Sequence, residues 1–347
     1  MTLQEAIHTR QRDNNINALQ GIAAVLVIYS HAFPLSSGNA GELLKDLSGG
    51  AFSFGALAVA VFFILSGFLL TQSLQRRPAF LPYIKNRLIR IYPAMLVCSV
   101  VCILGGAFFT TLPTAAYFTH PDTWGYLWKN LLFLQKQEYL PGVFTANCYG
   151  TAVNGSLWTL FFQMLFYIVL GIVSVLGGIR RRWPILLLWV IDLLLFLGRG
   201  WVLQLPWISS HAQMAEQAMY LFLYFGAGAL AAIYASHLSL KWTYLLGSLA
   251  LTIPLFLLRQ YELMMAIPGT YILLWLSYSI RLPKLTSLSK VSYGLYVFAF
   301  PVQQAVTAAH GGTMSPYLNF CIAFPITLGL AWGSWLLVEQ PLLKLKK

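Results

Sequence analysis

Long apolar runs separated by short basic connectors organise the whole chain. Ten stretches hold the ~20 mostly apolar residues that a helix needs to cross a bilayer. They are 17–36, 51–73, 89–110, 155–178, 183–203, 216–236, 242–259, 262–280, 288–310 and 317–338. A further stretch, 124–134, is apolar and aromatic but too short to span, and is expected in a loop at the membrane interface. The first 16 residues are polar, and no small-residue cleavage site follows the first apolar run, so that run reads as a retained first helix. The pattern predicts an all-α polytopic membrane protein of about ten transmembrane helices. It is expected to be a single transmembrane domain over 1–347, with an N-terminal tail over 1–16 and a basic C-terminal tail over 339–347.

Composition agrees. The 347 residues are 58% hydrophobic and only 9% charged, against about 25% charged in a soluble domain. The net charge of +12 comes from basic residues that fall between the apolar runs. With the N-terminus in the cytoplasm, 17 of the 22 Lys and Arg residues lie on the cytoplasmic side, including Arg12, Lys284, Lys346 and Lys347. Lys45, Lys129, Lys136, Arg199 and Arg259 are left outside. That asymmetry places both termini in the cytoplasm and gives the basic balance a topological meaning, with no nucleic-acid partner. The four cysteines, Cys98, Cys102, Cys148 and Cys321, have neither metal-ligand nor disulfide-framework spacing, and no metal site is expected. The longest connector, 111–154, carries Tyr117, Trp124, Tyr126, Trp128, Tyr139 and Tyr149, which suit an interfacial belt or a sugar-stacking surface.

Against this apolar background His31 stands out. An ionisable group inside a spanning helix is costly and marks a functional site by default. It lies 14 residues beyond Asn17, about 21 Å along a helix, so it is expected past the midplane towards the outside. Gln20, 11 residues earlier, shares roughly its face. Arg87 and Arg90 stand at i and i+3 where the third span opens. Such a pair makes a fork for phosphate, and lipid-phosphate anchoring alone also accounts for basic residues there. Ser156, Trp158, Thr159 and Gln163 bring polar and aromatic groups into the first two turns of the fourth span, where interhelical hydrogen bonding is the simpler use.

These stretches occur in one order. Leu19-Gln20-Gly-Ile-Ala23 runs through to His31, followed by Phe62-Phe-Ile-Leu-Ser66-Gly67-Phe68-Leu and Arg87-Leu-Ile-Arg90-Ile-Tyr-Pro93. Then come Asn154-Gly-Ser-Leu-Trp-Thr-Leu160, Ser292-Tyr-Gly-Leu-Tyr296, Phe300-Pro301-Val-Gln-Gln304 and Val338-Glu339-Gln-Pro341. Together they resemble the acyltransferase-3 family of bacterial membrane O-acyltransferases over nearly the whole chain. The resemblance implies a ten-helix protein of the bacterial inner membrane that moves an acyl group, acetyl first, from cytoplasmic acetyl-CoA or another short acyl-CoA. The implied acceptor is a hydroxyl of an exopolysaccharide, O-antigen or lipid-linked glycan, with polysaccharide assembly machinery as a partner. No permanently bound cofactor is implied. His31 would be the catalytic base, or would instead carry the acyl group covalently; Arg87 and Arg90 would hold the CoA phosphates, and Gln20, Ser156, Trp158 and Gln163 would shape the substrate tunnel.

The chain departs from the family at two of these positions, where Gln20 stands for the usual Arg and Gln163 for the usual Glu. One charge of each sign is lost. A joint change to neutral partners preserves hydrogen bonding while removing two buried charges; it also leaves open a catalytically silent scaffold. A transporter or flippase for a lipid-linked sugar is the rival of another class, although no repeat symmetry or paired broken helices support it.

Overall fold

The computed structural model describes residues 1–11, 13–38, 41–132, 137–282 and 285–344. Arg12, Lys136, Lys284, Lys346 and Lys347, all counted in the charge asymmetry, lie outside these residues. Among the described residues the structure is helical, with only isolated β-bridges. The principal helices are α1 (Leu3–Thr9), α2 (Ile16–Ser37), α3 (Phe54–Arg76), α4 (Phe80–Gly106), α5 (Pro121–Leu131) and α6 (Trp158–Val175). They continue with α7 (Trp183–Leu197), α8 (Ala212–Ile233), α9 (Trp242–Leu257), α10 (Thr270–Tyr278), α11 (Ser292–Ala309) and α12 (Pro316–Ser334).

Every one of the ten apolar stretches is mainly helical. Among the described residues, six helical segments are individually long and apolar enough to cross a membrane. α7 and α9 are apolar but shorter, with 15 and 16 residues. α10 is shortened by a π-helical segment, Met265–Gly269, which contains Pro268 and so lacks one backbone donor. Exposed Leu96, Val100 and Leu104 on α4, and Leu246, Leu249 and Ile253 on α9, give these helices the apolar outer surface that lipid requires.

Two expectations change. The N-terminal tail contains a docked helix: Thr2 caps α1 through a reciprocal pair with Glu5, and Leu3 and Ala6 are fully buried. Leu3 and Ala6 sit at i and i+3, an apolar stripe too short for a periodicity argument to find. The Leu3 N–H donates to the Leu238 carbonyl at 2.7 Å, tying the stripe to its neighbour. Most of the aromatic stretch 124–134 lies on α5, where Tyr126 is fully buried while Trp124 and Trp128 are half-exposed.

The chain divides into two compact units. The first comprises Met1–Gln20, Val59–Ile84 and Phe162–Lys284; the second Gly21–Ala58, Lys85–Phe161 and Leu285–Lys347. In the first unit α3 and α8 cross backbone to backbone. A Cβ on Gly67 would fall on the Phe225 carbonyl, and one on Gly228 on the Ile64 carbonyl. Small residues at such a crossing let van der Waals packing replace the hydrophobic drive that lipid removes. The second unit packs α11 against α12 and carries the long connector between α4 and α6.

Gly67→Val should therefore lower stability by about 3 kcal/mol through overpacking. Gly247→Val, where nothing lies within 4 Å of the added carbon, should change it by less than about 0.5 kcal/mol. Thermal unfolding of the two purified variants in one detergent checks the contrast.

Candidate active site

α2 is almost wholly apolar around His31, with Val27, Ile28, Ala32 and Leu35 buried. The imidazole is only partly buried. It meets the Phe300 ring of α11 edge-on, with centroids 5.7 Å apart and planes at 78°. Phe300 meets Tyr149 of the connector in the same way, at 5.6 Å and 77°. Tyr149 is 46% exposed, so two rings, Tyr149 and Phe300, lead from the connector surface to the imidazole. Burial, with Glu138 and Tyr139 nearby, pushes the Tyr149 hydroxyl above its ordinary range, so it stays a neutral donor at physiological pH.

A proline sets the position of Phe300. Pro301 has no N–H, so the Val297 carbonyl one turn earlier loses its helical donor. Asn154, fully buried, donates to that carbonyl through Nδ2 at 2.9 Å. The Cys98 thiol of α4 donates to the same oxygen at 3.3 Å. The Asn154 Oδ1 accepts from the Ser156 N–H at 3.1 Å and so caps the 3₁₀ turn Gly155–Leu157 that leads into α6. A side chain at Gly155 would come within 2.8 Å of the Phe300 ring, so glycine is what allows this approach. The Tyr296 hydroxyl donates to the Ser156 carbonyl at 3.0 Å and pairs with the Thr159 hydroxyl.

Two adjacent glutamines extend the framework. Gln303 donates to the Ile28 carbonyl of α2 at 2.8 Å, one turn before His31. Its own carbonyl accepts from Asn319 of α12 at 3.0 Å. Gln304 donates to the connector carbonyls of Gly150 and Ala152 at 3.1 and 2.8 Å, and accepts from Asn147 at 2.9 Å. Successive residues on a helix point about 100° apart, so one grips helices and the other the connector. Within this ordered shell the His31 Nδ1 and the Ser156 Oγ are buried without a partner among the described residues. Among the described residues no acceptor meets the His31 Nδ1, so no hydrogen bond there fixes the tautomer.

Arg87 and Arg90 share α4 in the same unit but have different surroundings. Arg90 lies 6.0 Å from the Trp335 ring centroid, and its charge acts on Glu339. Glu339 is buried and accepts from the Ser334 hydroxyl at 3.0 Å. These two are five residues apart, and the π-helical segment Trp335–Glu339 sets that spacing on one face. The Arg87 Nε is buried without a partner among the described residues.

The second unit thus holds His31, Arg87, Arg90, Ser156 and Trp158, the last half-buried at the start of α6. Gln20 and Gln163 belong to the first unit. There Gln163 donates to the Tyr167 hydroxyl at 2.6 Å and, more weakly, to Ser66 at 3.4 Å. Among the described residues no hydrogen bond joins it to Gln20. Sequence reasoning missed Asn147 and Asn319, gave Asn154 no role, and left Tyr149 in a general belt. The signal available was the Gln303–Gln304 pair after a proline in an apolar run, which demands polar partners.

The fold and site define a multi-pass protein, helical in its described residues, with a partly buried imidazole in its second unit. The acyltransferase-3 family model, described as an acyltransferase domain, matches residues 13–338, and the chain belongs to that family. It is 26% identical to a protein of Shigella phage Sf6 named O-acetyl transferase, over 95% of this chain and 96% of that one. It is 27% identical to nodulation protein 10 of Rhizobium leguminosarum bv. viciae, over 98% of this chain and 95% of that one. No solved structure matches it.

If Asn154 answers the donor lost at Pro301, Asn154→Ala should cost about 1–3 kcal/mol. In a Pro301→Ala background, where the helix provides its own N–H, that cost should fall by at least half. A double-mutant cycle on thermal stability measures the coupling, and additive effects would show the two sites to be independent.

Proposed function

We propose that the protein is a membrane O-acyltransferase that moves a short acyl group, acetyl first, from cytoplasmic acyl-CoA to a hydroxyl of an exopolysaccharide, O-antigen or lipid-linked glycan. Family membership supports the reaction class, and the name of the phage relative supports acetyl transfer to oxygen. The proposed setting is a bacterial inner membrane, with about ten spans and both termini in the cytoplasm, as the charge asymmetry suggests.

The observation that carries this reading is His31, a partly buried imidazole with an unpartnered Nδ1 at the inner end of an aromatic path. A neutral imidazole takes the proton from a sugar hydroxyl as that oxygen attacks the thioester carbonyl. The new C–O bond forms, the C–S bond breaks, and the CoA thiolate leaves with the proton returned by the imidazolium. Tyr149, 46% exposed, offers an apolar face on which a sugar ring stacks, and the buried Phe300 ring backs it. Arg87, with an open donor, is the residue for a CoA phosphate. Arg90 is anchored beside Trp335 and Glu339 and supports it. Ser156, Trp158, Gln20 and Gln163 are assigned to tunnel support.

Labelled acetyl transfer from acetyl-CoA to glycan in native membrane vesicles tests the reading. His31→Ala, at matched expression and melting temperature, should lose at least about 100-fold in rate. Unchanged transfer would remove His31 from the mechanism.

The two arginines should separate in their effects. Arg87→Gln should raise KM for acetyl-CoA about tenfold and leave stability unchanged, because it removes a charge-assisted contact with the donor. Arg90→Gln should instead lower thermal stability, because Glu339 loses its compensating charge. Steady-state kinetics with melting curves on the same preparations reads both.

A further inference from the structure

The first unit contains a cavity of about 630 Å³ to which the acyl-transfer reading assigns nothing. It opens where α3, α6 and α8 all end, with α1 forming one wall. Arg76, Arg180, Arg182 and His8 line it together with Gln4, Gln11 and Gln75, and among the described residues no carboxylate lines it. Cations at helix C-termini also complement the helix dipole, and Arg76 does donate to the Gln72 carbonyl at 3.3 Å.

Dipole compensation does not account for the buried wall. Gln72 and Ser174 line the cavity and are only 7% and 6% exposed. The Ser174 Oγ is buried without a partner among the described residues, while the Gln72 amide meets the Tyr278 hydroxyl. An unanswered buried hydroxyl costs about 1–3 kcal/mol, so one beside a cavity lined by guanidiniums marks a place where an acceptor-rich group belongs. Guanidiniums at the mouth, neutral donors in the wall and no competing carboxylate together fit a phosphoryl group.

We propose that this cavity is a phosphoryl-binding site, distinct in its residues from His31, Arg87 and Arg90. Two sources carry that chemistry: the headgroup of an anionic phospholipid, and the phosphates of a soluble nucleotide. The site's residues all lie in the first unit.

The test uses the purified full chain and reads binding alone, so its outcome does not depend on the acyl-transfer reading. The soluble probe is adenosine 3′,5′-bisphosphate, followed by calorimetry in detergent. The lipid probe is native mass spectrometry from nanodiscs of phosphatidylglycerol against phosphatidylcholine. Arg76→Gln/Arg182→Gln is compared with Arg77→Gln/Arg181→Gln, which removes equal charge nearby but spares the lining. The first variant should weaken the bound probe about tenfold, and the control should leave it within about twofold. Ser174→Ala, which changes no charge, should also weaken it, and serves if the arginine variant fails to fold. Loss of bisphosphate binding assigns the soluble source; loss of the phosphatidylglycerol preference assigns the lipid. Equal losses in the lining and control variants, or binding of neither probe by the unmodified chain, would overturn the proposal.

Discussion

The second unit depends on a hydrogen bond that α11 cannot make for itself. Pro301 removes the donor to the Val297 carbonyl, and an apolar surrounding has no water to replace it. Asn154 and Cys98 answer that carbonyl from two other parts of the chain. The same Asn154 caps the turn into α6, so one side chain fixes the connector, the start of α6 and the middle of α11. Phe300, next to the proline, is thereby held against Gly155 on one side and His31 on the other. A local defect in one helix is thus what brings the imidazole, the aromatic path and the connector into register.

The same economy recurs elsewhere in both units. Where apolar burial cannot distinguish a neighbouring helix from lipid, close packing and polar pairing must specify the contacts. The Gly67 and Gly228 crossing uses the first device, and Gln303, Gln304, Asn147 and Asn319 use the second. The framework leaves some of its own acceptors open, among them Asn147 Oδ1, Gln303 Oε1 and Asn319 Oδ1. His31 Nδ1, Ser156 Oγ and Arg87 Nε are likewise buried without a partner among the described residues. An unanswered buried polar group costs stability, and in the proposed reaction His31 and Arg87 would find their partners in the substrates.

Arg87 and Arg90 show how a motif divides its work. Read as a string, the two are equivalent and share a helix face. In the fold, a π-helical register places Glu339 beside Ser334, and Arg90 lies 6.0 Å from the Trp335 ring centroid with its charge acting on that carboxylate. Arg87 keeps an unanswered Nε. Gln163 shows the converse: a position noted for a missing charge is occupied by an amide with its own partners, Tyr167 and Ser66.

What the sequence by itself determined was the class. Ten apolar stretches became helices because hydrophobic length and periodicity are local properties that lipid enforces on any chain. His31 was legible because an ionisable residue in an apolar run is anomalous wherever it points. The ordered motifs, with the family match over 13–338, set the reaction class. Tertiary structure alone decided the partners: that Asn154 answers Pro301, that Tyr149 stacks towards His31 through Phe300, and that Leu3 and Ala6 dock the N-terminal segment. It also decided which of two arginines stays open and gathered Arg76, Arg180, Arg182, Gln72 and Ser174 around one cavity. The contact of His31 with Phe300 joins residues 269 positions apart. A hydrogen bond or ring contact depends on ångström separations that spacing along a chain does not encode.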